Sequence, residues 1–299
     1  MKSAGHVPVL LKETIAFLDL QPGDDAIDCT LGGGGHASAI LEATAPNGRL
    51  LGIEWDGRTL EETRKILNRF GSRAMLVHGS YRNLASLARS YAFPRVSAVL
   101  FDLGYSSFQI DDPERGFSFR HDAPLDMRFS DQHELTAFDV VNGWPKEELI
   151  RILREYGEER AAGRIAEAIV SERKRAPISS TKQFAMVVMR AKSGPRTKTH
   201  PATQAFQAIR IAVNDELGNV REALPAAVEL LEEGGRIAVI TFHSLEDRIV
   251  KRFFQERSDL RIITERPVPP GDEEIEMNRR SRSAKLRVAV KESHGSTPA

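Results

Sequence analysis

The chain runs to 299 residues, 41% hydrophobic and 28% charged, which excludes a disordered or fibrous protein and leaves one large domain or two ordinary ones. Basic and acidic residues both number 42, and the one cysteine rules out an internal disulfide and a cysteine-based zinc site. No stretch approaches the roughly 20 apolar residues of a membrane span, and MKSAGHVPVLLKET is too short in apolar residues for a signal peptide, so a cytoplasmic protein is the expectation.

In residues 6–20, HVPVLLKETIAFLDL, Leu10, Leu11, Ile15 and Leu18 recur at helical spacing behind Pro8. Asp25 to Ala43, DAIDCTLGGGGHASAILEA, then reads as strand, glycine loop and helix. Glycines let the main chain approach a ligand closely, and a helix N-terminus offers unpaired N–H groups to a charged one. Nineteen residues after Gly35, Glu54 closes a second apolar run, where an acid typically grips ribose hydroxyls. A nucleoside-cofactor site accounts for both features. Gly32-x-Gly34-x-x-Ala37 alone is also compatible with a nicotinamide-dependent oxidoreductase or a turn without function, whereas a P-loop fails for want of Gly-Lys-Ser/Thr.

Further along, a helix is predicted over Gly57 to Arg69, a strand over Ala74 to His78, a helix around Leu84, Leu87 and Ala88, and a strand over Val96 to Gly104. This alternation predicts an α/β fold, a parallel sheet with helices on both faces. Ligands in such sheets sit at the carboxyl ends of the strands, so Glu54, Tyr81 and Asp102 should converge on the glycine loop. Tyr105 to Asp131 lacks a period but carries Phe108, Phe117, Phe119, Leu125 and Met127, too many apolar groups for a disordered loop. Three helical patterns follow between Lys146 and Lys192, the last with Thr181 as its N-cap. One further helix is predicted over AFQAIRIAVNDELGNVREALPAAVELL, then the strand Gly235 to Phe242, a helix, and two late strands in LRIITE and AKLRVAVK. The expected organisation is a sheet domain from 1–109 and 211–299, with a helical insertion over 110–210.

Charge is unevenly spread. Pro145 to His200 holds 13 Lys/Arg against 7 Asp/Glu, and a second basic run, NRRSRSAKLR, spans Asn278 to Arg287. Two basic segments on a neutral chain tilt toward a polyanionic partner, although charge runs are often only solvated faces. Arg173, Lys174, Arg175, Arg196 and Lys198 are the candidate phosphate contacts. Tyr105, Ser106, Ser107 and Phe108 follow Asp102 directly and are candidates to wall a base pocket, with Phe108 and Phe117 open to a core role instead. Asp126 and Arg128 fit a structural ion pair as well as an RNA contact. His200 and His243 lack metal-ligand spacing, and no metal is expected. Cys29 precedes the loop in an apolar strand, which fits a buried structural thiol better than a nucleophile.

The strings HVPVLL, DCTLGGGGH, DLGYSS, ERGFSFRHDAPLDMR, HPATQAFQAIRIAVNDEL, TFHSLEDRIVK and RSRSAKLR, in order from His6 to Arg287, closely resemble the bacterial RsmH (MraW) family. The resemblance implies a class I, Rossmann-like methyltransferase sheet with an inserted helical domain, and S-adenosylmethionine as cofactor. The implied reaction methylates the exocyclic amino nitrogen of one cytidine in the decoding region of 16S rRNA, with the 30S subunit as the expected partner. By position, the family's cofactor contacts fall on Gly34, Gly35, His36, Glu54, Tyr81, Asp102 and Gln109. The family commonly has Asp where this chain has Glu54, and often Phe in place of Tyr81. A direct role for Asp102 on the target amine is an additional expectation. Methylation of a small molecule or a protein, and a ribosome-assembly factor without turnover, stay open beside it, as do monomer and homodimer.

Overall fold

The computed structural model describes residues 8–192 and 200–292. It divides into two compact units, Met1–Ser106 with Leu217–Ala299, and Ser107–Glu216.

The first unit opens with helix α1 (Leu11–Leu18), strand β1 (Ala26–Asp28), α2 (Gly35–Ala43), β2 (Leu50–Glu54), α3 (Gly57–Leu67), β3 (Ala74–His78), α4 (Leu84–Ser90) and β4 (Val96–Asp102). The second unit holds α5 (Ser107–Asp111), α6 (Ala137–Gly143), α7 (Lys146–Glu155), α8 (Ala162–Arg173), α9 (Thr181–Ala191) and α10 (Thr203–Asn214). After α11 (Glu216–Leu230) come β5 (Leu231–Thr241), α12 (Ser244–Glu256), β6 (Leu260–Ile262), α13 (Asp272–Met277) and β7 (Lys285–Lys291).

The seven strands form one sheet in the order β3-β2-β1-β4-β5-β7-β6. The first five run parallel, and β7 is antiparallel to both β5 and β6. Alternation along the strands divides the buried residues between two faces. Ile27, Leu51, Ile53, Val99, Phe101, Ile237 and Val239 belong to one core cluster. Their neighbours Ala26, Leu50, Ala98, Leu100, Ala238 and Ile240 belong to another. Both faces are covered, which is why these strands read as nearly continuous apolar runs. The chain steps outward from β1 through β2 to β3 and then returns to lay β4 on the other side of β1. This reversal opens a crevice past the carboxyl ends of β1 and β4, the place where doubly wound sheets bind ligands.

The second unit has its own core, built on Ile152, Leu153, Ile165, Ile169, Phe184, Val188 and Ile209. Phe117 is part of it, stacked on Phe129, so its role is packing. Two local expectations are corrected. The N-cap of α9 is Ser180 and not Thr181: the Ser180 hydroxyl accepts from the Gln183 N–H, and the Gln183 side chain accepts in return from the Ser180 N–H. The single long helix expected from Ala205 onward is two, because Asp215 takes a left-handed conformation (φ 46°, ψ 42°) between α10 and α11. Asp is among the few non-glycine residues that visit this region readily.

Candidate active site

The glycine loop is fastened at both ends. Leu31 N–H donates to the Ile53 carbonyl (3.0 Å), Gly34 N–H to the Leu31 carbonyl (2.8 Å), and the Thr63 hydroxyl to the Gly32 carbonyl (2.5 Å). Gly34 sits at φ +75°, and a Cβ there would lie 2.8 Å from Thr63 Cγ2. At Gly35, which opens α2, a Cβ would lie 2.1 Å from Pro8 Cγ. These glycines are required by the chain's own side chains packing against the loop.

Three carboxyl groups end three adjacent strands. Asp28 closes β1, Glu54 closes β2, and Asp102 closes β4. Glu54 is buried, and its two oxygens accept from Gly32 N–H (2.9 Å) and Asp56 N–H (2.8 Å), which ties it to the loop. Asp28 Oδ1 accepts from Thr30 N–H at 3.1 Å, while the Thr30 hydroxyl accepts from Asp102 N–H at 2.6 Å, linking the ends of β1 and β4. His36 Nε2 lies 3.0 Å from the Val9 carbonyl oxygen, which can only accept, so Nε2 carries the proton. The other ring nitrogen, Nδ1, faces Asp102 Oδ2 at 3.7 Å.

Burial dominates the electrostatics. It pushes the Asp28 carboxyl up to about 7 against the lowering effect of the Thr30 hydrogen bonds. Glu54 is likewise raised to about 7 by burial, opposed by the Asp56 and Gly32 N–H groups and reinforced by the Asp56 and Asp28 charges. Asp102 is raised well above the usual carboxylate range, first by burial and then by Asp28, Glu246 and Glu274. Although 22% of the Asp102 side chain is exposed, its Oδ1 is sealed and lacks a hydrogen-bond partner, as does Asp28 Oδ2. An unpaired buried acceptor costs about 1–3 kcal/mol, so a donor at this spot is strongly favoured.

The structure therefore brings Gly34, Gly35, His36, Glu54 and Asp102 together in the first unit. Tyr81 lies past the end of β3, partly buried, with its ring edge-on to Phe101 (centroids 5.7 Å apart, 89°). Tyr105 is exposed and Ser106 half-buried. Gln109 belongs to the second unit, where it is buried and its amide donates to the Phe129 carbonyl at 3.4 Å. Ser107 opens α5 there, and Phe108 is exposed. Asp28 is not among the site residues read from the sequence, because it lies inside the apolar run between Ile27 and Cys29.

Among the candidate RNA contacts, Lys174 and Arg175 are exposed, and Arg196 and Lys198 lie outside the described residues. Arg173 differs from expectation, because its guanidinium donates to the Val141 and Trp144 carbonyls at 2.8 Å and ties α8 to the end of α6. Asp126 and Arg128 form a two-pronged ion pair (2.9 and 2.8 Å). Burial alone would raise the Asp126 carboxyl, and the Arg128 fork holds it low. His200 stacks on Phe119 with ring centroids 4.2 Å apart.

Residues 3–292 match the MraW methylase family, which is nearly the whole chain. This protein belongs to that family. It is 48% identical over 305 residues to a Ribosomal RNA small subunit methyltransferase H from Carboxydothermus hydrogenoformans, covering 96% of this chain and 97% of the relative. A protein of the same name from Thermomicrobium roseum is 47% identical over 310 residues, covering 98% and 95%. A third, from Dehalococcoides mccartyi, is 46% identical over 302 residues, covering 95% and 86%. The methyl donor of this methylase is S-adenosylmethionine. The site's own chemistry fits such a ligand. A cluster of buried carboxyls, two with an unpaired oxygen, favours a cation carrying N–H donors, and the Glu54 carboxylate keeps lone pairs for hydroxyl groups. No helix among the described residues is long and apolar enough to cross a membrane.

Proposed function

We propose that this methylase acts on small-subunit ribosomal RNA, and that it transfers the methyl group to the exocyclic amino nitrogen of one cytidine in the decoding region of 16S rRNA on the 30S subunit. The substrate class is supported by the names of relatives at 46–48% identity. The observation that carries the chemistry is Asp102, an acid with a raised pKa and an unpaired oxygen at the end of β4.

When bound, S-adenosylmethionine supplies a methyl group on a positively charged sulfur. A cytosine amino group is a poor nucleophile, because its lone pair is delocalised into the ring. The protein must hold the amino protons with acceptors and align the nitrogen, and positioning supplies much of the acceleration. We assign Gly34, Gly35, His36, Glu54, Tyr81 and Gln109 to cofactor binding, with Glu54 toward hydroxyl groups and Tyr81 as an aromatic wall. Asp102 is assigned both a cofactor contact and the role of hydrogen-bond acceptor for the amine. His36, its proton held on Nε2 by Val9, turns Nδ1 toward Asp102 Oδ2 at 3.7 Å, so its ring lines the side of the site next to that carboxyl. Tyr105 and Ser106 serve as walls of the base pocket, with Ser107 in the same role. The helical unit, with Lys174 and Arg175 on its surface and Arg196 and Lys198 in its sequence, is assigned to RNA recognition. Cys29 supports nitrogen over ring carbon as the acceptor: it is buried, and burial with the Asp28 charge pushes its thiol well up, away from the thiolate that carbon-5 chemistry needs.

The test is methyl transfer from labelled S-adenosylmethionine to 30S subunits lacking the modification, followed by nucleoside analysis. Label is expected on the cytidine amino nitrogen, and Asp102→Ala should reduce the rate by about 10²–10⁴-fold. Cofactor binding without label in RNA, or label on the ring carbon, overturns the assignment.

A further inference from the structure

The late basic run NRRSRSAKLR contains two kinds of residue, and only one has a structural task. Ser281 is fully buried, its hydroxyl donating to the Asn278 carbonyl at 2.8 Å. Ala284 and Leu286 lie in the sheet core. Arg287, also buried, donates through Nε to Asp247 Oδ1 at 2.7 Å, and Lys285 reaches the other oxygen at 3.2 Å. Asp247 stands in the first turn of α12, within TFHSLEDRIVK, so these contacts lock the two sequence motifs together. Arg279 and Arg282, on the 3₁₀ turn Arg279–Ser283, do none of this. Both are exposed, and neither forms an ion pair among the described residues.

The turn has a defined place on the sheet. Asp102 pairs with Ile240, Ile240 with Leu286, and Thr241 with Lys285. Residues 279–283 therefore lie past the carboxyl ends of β4 and β5, on the same edge as Asp102. Only β5 separates β7 from β4, a lateral distance of about 10 Å at the usual strand spacing. A buried serine anchors the turn from below, so the arginines project from a fixed base.

Resting on the RNA substrate proposed above, we infer that Arg279 and Arg282 hold backbone phosphates flanking the target nucleotide. The sheet unit then carries its own RNA contact beside the active site, in addition to the helical unit. Four acids on α13 (Asp272, Glu273, Glu274 and Glu276) precede the turn, so the field there is not broadly positive. Two guanidinium groups gripping individual phosphates suit such a setting better than diffuse attraction.

The experiment measures kcat and KM on 30S subunits lacking the methyl group, across a series of salt concentrations. It compares wild type with the pair Arg279→Gln/Arg282→Gln, the pair Arg279→Lys/Arg282→Lys, and the control pair Arg89→Gln/Arg95→Gln. The control arginines are also exposed but lie toward the amino end of β4, Arg89 in the last turn of α4 and Arg95 just ahead of β4. Removing two single-strand phosphate contacts should raise KM about tenfold near physiological salt and flatten the plot of log(kcat/KM) against log salt by about 1.4. Saturated kcat and cofactor affinity should stay within about twofold, which also reports an intact fold, and the Lys pair should keep most of the salt slope. Hydroxyl-radical footprinting should show 16S rRNA backbone positions protected by wild type and open with the Gln pair. A wild-type slope in the Gln pair, an equal loss from the control pair, or identical footprints would each overturn the inference. Failure of wild type to methylate the subunits at all removes the RNA substrate itself. An active wild type with an unaffected Gln pair removes only the arginine contact.

Discussion

Asp28, Glu54 and Asp102 are three acids on neighbouring strands that burial makes reluctant to ionise. Their linkage to stability has a definite sign. Folded values near 7 or above exceed the ordinary 3.8 and 4.5, so the folded state binds more protons, and its stability falls as pH rises through about 7. Cofactor-free protein should thus lose thermal stability between about pH 5 and pH 8 in calorimetry. A cationic ligand favours the ionised acids, so the stabilisation by S-adenosylmethionine should be greater at pH 8 than at pH 6. Asp28→Asn, which removes a charge felt by both neighbours, should flatten the profile and stabilise the free protein at pH 8 by on the order of 2 kcal/mol. A flat wild-type profile would mean that the acids ionise freely. Glu54 and Asp102 stand out in the sequence because each lies where an apolar run meets a loop, whereas His36 is marked only by the family resemblance. Asp28 was harder to see, lying between Ile27 and Cys29 with no turn signal before it. Thr30 and Thr63 act through contacts about 70 and 30 residues away along the chain, which no local pattern reports.

At the scale of single elements, the glycine loop and the α9 cap separate function from stability. Gly35→Ala would press a methyl group into Pro8 and shift the segment ahead of α1, with overpacking costing about 1–3 kcal/mol. Cofactor affinity should fall with it, because Val9 in that segment orients His36; titration calorimetry checks this, and unchanged affinity would detach the segment from the site. Ser180→Ala removes the α9 capping box and should cost about 1 kcal/mol in urea unfolding, with cofactor affinity unaltered. Most elements of the sheet unit were readable from apolar runs and turn residues. The misassigned cap had a signal in Gln183, three residues after Ser180, which completes the Ser-x-x-Gln pattern. The break at Asp215 had little, since a helical apolar pattern continues on both sides of it and no glycine or proline marks it.

The two units share a chain but not a core. Among the described residues, every buried residue of the helical cluster falls between Phe117 and Val213, and neither sheet cluster draws on residues 107–216. Each unit buries its own apolar surface, the physical requirement for folding alone. The units do not divide by charge: residues 107–216 hold 17 Lys/Arg and 17 Asp/Glu, so the excess of 13 basic over 7 acidic residues in Pro145 to His200 is local to one part of the helical unit. Residues 107–216 expressed alone should therefore unfold in urea in one cooperative transition. The complementary chain, with 107–216 replaced by a short Gly/Ser linker, should keep the sheet and bind S-adenosylmethionine. Its affinity should be about fivefold weaker, the loss expected when the proposed Gln109 contact is removed. It should transfer no methyl group to 30S subunits, because the proposed RNA contacts Lys174 and Arg175 are gone. A non-cooperative fragment would mean that the helical core needs the sheet unit. Full activity on subunits by the shortened enzyme would move RNA recognition onto the sheet unit, where Arg279 and Arg282 stand.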